Sequence, residues 1–209
     1  MAQLGDTIRL VELVSARLCH DLGGLIGTIG GAMEMATEEA DHDDEVLAYA
    51  ASAATALAQR LRLMRAAWGP ETGPVPLATL VELVTPALTM RRVELDTRMM
   101  PPGCVFPAPA GRVMLNLVLL GCDCLPKPGV IVLAGEPADV FIRIQGPGSA
   151  WPPGLASCLH DEARAIAMLT SARSVQMPLT ALMALSCGLR LSPVLGAASG
   201  VEALRLLTP

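Results

Sequence analysis

The sequence predicts an α-helical hairpin followed by a mixed domain in which helices and strands alternate. Three observations predict this fold class: a long helical stripe of apolar residues near the start, a glycine- and proline-rich break at residues 69–74, and short apolar segments of strand type after that break. The stripe advances in steps of three or four residues over about four heptads. Its members are Ile8, Val11, Val14, Leu18, Leu22, Leu25, Ile29, Ala32 and Ala36.

The hairpin is predicted to comprise residues 1–68, with its tip at residues 38–45, where six of eight residues are acidic. An alanine-rich second helix follows from about residue 45 to residue 67 and has the same apolar rhythm. Two helices cannot enclose a core by themselves, so we expect two hairpins to pair into a dimeric four-helix bundle. Residues 69–74 are predicted to form a linker.

The second predicted domain covers residues 75–209. Helices are predicted at residues 76–88, 108–125 and 177–189. Strands are predicted at residues 93–96, 130–133, 140–144, 191–195 and 201–206, the last two joined as a hairpin. Strands and helices grouped in this way indicate an α+β sandwich, with the helices on one face of a sheet.

Composition and charge exclude several classes of protein. The chain is 52% hydrophobic and 17% charged, which is typical of a globular protein. Its net charge of −5 argues against nucleic acid as a partner, and the acidity is concentrated in the hairpin. We expect no membrane span and no secretory signal, and therefore a cytoplasmic protein with reduced cysteines. The Cys122-Asp123-Cys124 motif lacks a second ligand pair, so no metal site is predicted.

His20 is the candidate nucleophile. It follows Leu18 by two residues, which turns it about 200° away from the apolar stripe and into solvent. Arg17, one turn earlier, could hold phosphoryl oxygens, and the Asp21 carboxylate could orient the imidazole ring. The alternative reading is an exposed histidine without a role, flanked by ordinary surface charges.

Four glycines follow His20 on its side of the helix: Gly23, Gly24, Gly27 and Gly31. Each interior glycine destabilises a helix by up to about 1 kcal/mol relative to alanine. One explanation is a surface that allows the backbone of a partner protein to approach the imidazole. The other is close helix packing inside this protein, and the glycines alone do not decide between them.

The segment Ser15-Ala16-Arg17-Leu18-Cys19-His20-Asp21-Leu22 resembles the phosphoacceptor helix of the ChpT-type histidine phosphotransferases of alphaproteobacterial phosphorelays. More broadly, it is similar to the phosphoacceptor box of sensor histidine kinases. Residues 112–120 resemble the asparagine box of those kinases, and residues 125–129 also resemble the phosphotransferase family. The resemblance implies a dimerising hairpin joined to a degenerate copy of the kinase ATPase domain.

The departures from the kinase pattern are informative. Leu120 replaces a metal-coordinating asparagine, and Ile144 falls where the adenine-reading aspartate is expected, ahead of Gly146-Pro147-Gly148. The resemblance therefore implies a transfer protein that binds no ATP and holds no cofactor. Leu25 also replaces a proline that many relatives have after the histidine.

The implied reaction moves a phosphoryl group from a receiver-domain aspartate to His20 and on to another receiver-domain aspartate. The implied partners are receiver domains of a hybrid histidine kinase and of response regulators, and these receivers are expected to carry the Mg²⁺. Two alternatives remain: an active histidine kinase or phosphatase, and a non-catalytic dimeric adaptor that binds receivers. His42, in the acidic tip, and His160, beside Asp161, are weaker candidates for the nucleophile.

Overall fold

The computed structural model describes residues 2–38, 43–125, 128–196 and 201–208, and the chain begins with the predicted hairpin. Helix α1 comprises Ala2–Glu38 and helix α2 comprises Asp43–Trp68. Both helices extend a few residues beyond the predicted bounds, and they pack against each other. His42 lies outside the described residues. Among the described helices, none combines the length and the apolarity needed to cross a membrane.

Only part of the apolar stripe of α1 is buried within the chain. The stripe alone would suggest burial along its whole length. Ala32 is buried against α2, but Ile8 and Val11 are 49% and 58% exposed. Near the start of α1 the buried residue is instead Leu13, which packs with Leu169 and Val175 of the second domain. The reason is that the second domain packs against the start of α1, on a different side of the helix from α2.

The second domain is built on a five-stranded sheet, as the pattern predicted. Its order is β2-β4-β5-β7-β6, with β2 parallel to β4 and the other neighbours antiparallel. The bounds of these strands are β2 Val93–Met99, β4 Gly129–Glu136, β5 Asp139–Gln145, β6 Arg190–Leu195 and β7 Val201–Leu207. The predicted terminal hairpin of β6 and β7 is confirmed, while residues 197–200 of its connection lie outside the described residues.

Three longer helices pack on this sheet and on one another: α3 Leu77–Met90, α4 Ala108–Asp123 and α7 Gln176–Ser186. Helix α4 is the centre of the core, because twelve of its sixteen residues are buried. The side chains of Val140, Ile142 and Ile144 alternate into the core along β5, which is the two-residue period of a strand with one covered face.

Several small elements were not predicted. The two-residue strands β1 Val75–Pro76 and β3 Val105–Phe106 pair antiparallel, and the short helices α5 Leu155–Cys158 and α6 Glu162–Ala167 precede α7. Elements this short have too few residues for a periodic pattern, and tertiary contacts decide them. The connection before β4 includes residues 126–127, which lie outside the described residues.

Candidate functional site

His20 lies on the exposed side of α1, as its helical angle predicts. Its side chain is 71% exposed, and its Nδ1 lies 3.3 Å from Oδ1 of Asp21. Because a carboxylate only accepts hydrogen bonds, this contact favours the tautomer with the proton on Nδ1. The Nε2 atom then keeps its lone pair and is available to attack an electrophile.

The Asp21 carboxylate joins His20 to two arginines. Its side chain is only 9% exposed, and its Oδ2 accepts hydrogen bonds from Nε of Arg17, at 3.0 Å, and from Nη2 of Arg60 on α2. Burial raises the pKa of Asp21, but the hydrogen bonds from Arg60 and Arg17 outweigh it and lower the pKa below its usual value. Asp21 is therefore an ionised carboxylate that both arginines hold against the ring.

The contacts of Arg17 differ from those expected of a side chain that lies beside His20 and is free to hold phosphoryl oxygens. Each of its three nitrogens donates within the chain: Nε to Asp21, Nη1 to the carbonyl of Arg173 at 3.2 Å, and Nη2 to Asp123 at 3.2 Å. Burial lowers the pKa of Arg17, but Asp123 and Asp21 raise it by more. The arginine therefore connects the nucleophile's helix to the second domain.

The second domain contacts α1 through Asp123, at the end of α4, and through the loop that precedes α7. Arg91 donates to Asp123 at 2.9 Å, while Arg9 donates to the carbonyls of Leu169 and Thr170 at 3.3 and 3.1 Å. These contacts place the edge of the second domain beside the part of α1 that lies between about three turns and one turn before His20.

The glycine row faces open space. A Cβ atom added at Gly23, Gly24, Gly27 or Gly31 would meet nothing within 4 Å, so these glycines do not serve close packing within the chain. Within the described part of the chain, the structure therefore gives no support to the intramolecular explanation for the row. Gly27 and Gly31 line a groove of about 590 Å³ between α1 and α2, and Met35 and Tyr49 form part of its other walls.

Asn116, from the segment that resembles the kinase asparagine box, is fully buried and has a complete set of hydrogen bonds. Its Nδ2 donates to the carbonyls of Ala67 and Arg112, at 2.8 and 2.9 Å. Its Oδ1 accepts from Nε1 of Trp68 at 3.1 Å and from Nε2 of Gln176 at 3.0 Å. The amide thus joins the end of α2 to α4 and α7, and no donor or acceptor of it is left for a ligand.

The other candidates from the sequence lie apart from His20 or lack suitable chemistry. His160 is exposed in the turn before α6, where Asp161 caps the helix. Burial, with the nearby Asp123 carboxylate, raises the pKa of the Cys124 thiol to about 12, so this thiol is protonated at neutral pH. Trp151 is buried in the core of the second domain.

Three charged residues that contact this site were not predicted from the sequence to do so: Arg60, Arg91 and Asp123. The sequence did contain a clue to Arg60. This arginine lies on the same side of α2 as the buried residues Ala53 and Met64, and a charged side chain in such a position requires a carboxylate partner. Nothing in the local sequence marks Arg91 or Asp123, since their pairing depends on where the second domain packs.

Comparison with known proteins agrees with this architecture. Residues 77–198 match the family described as the histidine phosphotransferase C-terminal domain. The chain is 25% identical over 192 residues to the protein phosphotransferase ChpT of Brucella abortus (strain 2308), covering 90% of each chain. A solved bacterial phosphotransferase has the same fold, with a TM-score of 0.70, 22% identity and 95% of each chain covered.

The family match covers more than half of the chain, and the relative and the fold extend the similarity to the hairpin that carries His20. An exposed imidazole beside a carboxylate that can orient it is suited to nucleophilic attack on a phosphoryl group. The chain therefore belongs to the histidine phosphotransferase family and is a phosphorelay histidine phosphotransferase.

Proposed function

We propose that His20 carries the phosphoryl group and relays it between the aspartates of two receiver domains. The observation that carries this proposal is the contact between His20 Nδ1 and Asp21, which favours the tautomer with a free lone pair on Nε2, on a ring that is 71% exposed. An exposed, oriented imidazole is accessible to the phosphorylated aspartate of another protein, and a buried one would not be.

The proposed reaction has two reversible steps. Nε2 attacks the phosphorus of an aspartyl phosphate, so that an N–P bond forms, the O–P bond breaks and the aspartate carboxylate leaves. The aspartate of a second receiver then attacks the phosphohistidine, the N–P bond breaks, and the ring nitrogen regains its lone pair. The Mg²⁺ that stabilises the transferring oxygens belongs to the receiver in this proposal, while Asp21 keeps the ring in position.

The proposal includes no ATP binding and no cofactor held by this chain. Asn116 supports this part, because its amide could coordinate a metal ion only by giving up hydrogen bonds to Trp68 and Gln176. Leu120 and Ile144, at the positions of two further kinase polar residues, are both buried in the core. At these two positions the site has neither a side chain that could coordinate the metal ion nor one that could form hydrogen bonds with adenine.

The receiver is proposed to dock over the glycine row and the groove that extends it toward the hairpin tip. The absence of side chains at Gly23, Gly24 and Gly27 lets a partner helix approach α1 closely. Tyr49, which is 62% exposed at the groove, offers an aromatic anchor of the kind enriched in protein interfaces.

Homodimerisation through the hairpin is the second part of the proposal. Five apolar side chains of α1 are exposed at positions about 180–240° around the helix from His20: Leu4, Ile8, Val11, Ile26 and Met33. Leu47 and Leu61 of α2 are also exposed. A continuous apolar face opposite the nucleophile fits a four-helix bundle that leaves both His20 side chains accessible. No disulfide joins any of the six cysteines, all of which lie in the described residues, and this fits the proposed cytoplasmic location.

The deciding experiment incubates the purified chain with a receiver domain phosphorylated on aspartate and follows the label. We expect acid-labile, base-stable label on the wild-type chain and on His160→Ala, the matched control, and none on His20→Ala. Label on His20→Ala would identify a different nucleophile, and no label on the wild type would favour the adaptor. Labelling from ATP alone would instead favour a kinase.

A further inference from the structure

We propose that Asp123, in the second domain, is a positioning residue for phosphoryl transfer, acting through Arg17 and Asp21 on the His20 ring. This inference rests on the proposed function of His20 and adds a residue far from it in sequence. No chemistry occurs at Asp123. Its effect depends on three consecutive side-chain contacts that run from α4 to the His20 ring on α1.

The first contact holds the guanidinium of Arg17 in place. Asp123 lies at the last residue of α4, and its two carboxylate oxygens lie 3.3 and 3.2 Å from Nη2 of Arg17. Arg91, which donates to the same carboxylate at 2.9 Å, keeps it from turning away. The Asp123 side chain is 22% exposed, so solvent screens this pair only in part.

The second and third contacts carry the restraint to the nucleophile. The Arg17 side chain is 12% exposed and donates through Nε to Oδ2 of Asp21, whose Oδ1 lies 3.3 Å from His20 Nδ1. Asp123 and Asp21 thus hold Arg17 from two sides, and this fixes the rotamer in which Arg17 can support Asp21. Without that second carboxylate, Arg17 keeps its hydrogen bonds to Asp21 and to the carbonyl of Arg173, and more of its rotamers become available.

Loss of Asp123 should weaken the alignment of His20 without abolishing transfer, because Arg60 still donates to Asp21 from α2. The expected effect is therefore on the rate of transfer within the bound complex. Because Asp123 lies beside α1 and is partly exposed, its direct contact with a docked receiver must be distinguished by a separate measurement of affinity.

The test compares Asp123→Asn with Asp139→Asn. Asp139 is a suitable control because it forms an ion pair with Arg205 at 2.6 Å in the same domain, away from α1. Single-turnover transfer from a phosphorylated receiver is measured over a range of receiver concentrations, and ¹⁵N NMR of the His20 ring reports the populations of its two tautomers.

For Asp123→Asn we expect the rate constant at saturating receiver to fall about three- to tenfold, with the half-saturating concentration unchanged and the Nδ1-protonated tautomer less populated. Asp123→Glu should restore most of the rate, and Asp139→Asn should match the wild type in every measurement. An unchanged rate constant with unchanged ring signals would overturn the inference. A change confined to the half-saturating concentration would also overturn it and would assign Asp123 to receiver docking. If the wild type itself accepts no label, the proposed function fails, while the ring signals still show whether Asp123 controls the tautomer.

Discussion

His20 Nδ1 and Asp21 Oδ1 lie 3.3 Å apart on adjacent residues of one helix, although successive helical side chains point about 100° apart. The contact forms because the Asp21 side chain has a fixed position between Arg17 and Arg60, and the exposed ring turns toward it. The proposed nucleophile thus lies against a carboxylate that other parts of the fold hold in place.

Substitution Asp21→Asn should slow phosphoryl transfer through His20. The neutral amide can present either an acceptor or a donor to Nδ1, so the tautomer that leaves Nε2 free to attack is no longer favoured. We expect the transfer rate to fall by about tenfold or more. Stopped-flow or quench-flow measurement of label transfer checks this, with Asp96→Asn, which alters an exposed ion pair with Arg98, as the control. Equal rates for the two variants would contradict the orienting role of Asp21.

Acidification should destabilise the wild type more than it destabilises Asp21→Asn. The pKa of Asp21 in the folded chain lies below its unfolded value of 3.8, because hydrogen bonds from Arg60 and Arg17 outweigh the effect of burial. A lowered pKa gives stability that is present above pH 3.8 and is lost as the pH falls through the folded value. Urea unfolding at pH 7, 5 and 3 measures the effect. Identical losses in the two proteins would show that Asp21 makes no such contribution.

Alanine at Gly24 and Gly27 should stabilise the chain and impair its reaction with receivers. A Cβ atom meets nothing at either position, so each substitution should raise the free energy of unfolding by up to about 1 kcal/mol. The same methyl groups would hold a docked partner away from α1 and raise the receiver concentration needed for half-maximal transfer. Thermal unfolding and transfer kinetics check the two effects. Gly5→Ala, also in open space on α1 but far from the groove, is the control. Higher stability with unchanged transfer would place the docking surface elsewhere.

Substitution Asn116→Ala should destabilise the junction between the hairpin and the second domain. It leaves Trp68 Nε1 without its acceptor and removes one hydrogen bond each from Gln176 Nε2 and the Ala67 carbonyl, which keep other partners. Each buried polar group left unpaired costs about 1–3 kcal/mol. Trp68→Phe removes one of these hydrogen bonds and should cost less. Urea unfolding followed by circular dichroism compares the two variants, and an unfolding midpoint for Asn116→Ala above that of Trp68→Phe would contradict this account.

Glutamate at both Ile8 and Val11 should dissociate the proposed homodimer. These side chains are 49% and 58% exposed on the face opposite His20, and charge there is costly to bury against a second hairpin. Analytical ultracentrifugation should show a monomer for the double variant and a dimer for the wild type. Met99→Glu, at a residue 66% exposed on the second domain, should remain dimeric. A double variant that stays dimeric would rule out this face as the interface.

The sequence predicted the parts of the site that depend on local properties. These are the direction of His20 around its helix and the positions of the glycines beside it. The steps of three and four along α1 indicated a long helix, and the angle between Leu18 and His20 indicated an exposed imidazole, which is 71% exposed in the structure. The same pattern did not reveal that Ile8 and Val11 are uncovered within the chain while Leu13 is buried, because those positions depend on the second domain.

The sequence by itself determined the hairpin, the strand and helix order of the second domain, the outward direction of His20 and the glycine row beside it. Only the tertiary structure decided that Arg60 holds Asp21 and that Asp123 holds Arg17, since these pairs are 39 and 106 positions apart. The physical reason is one of range: backbone periodicity sets the direction of a side chain from its neighbours, whereas an ion pair forms wherever packing brings two distant charges together. Arg17, predicted beside the phosphoryl group, is therefore found between two carboxylates.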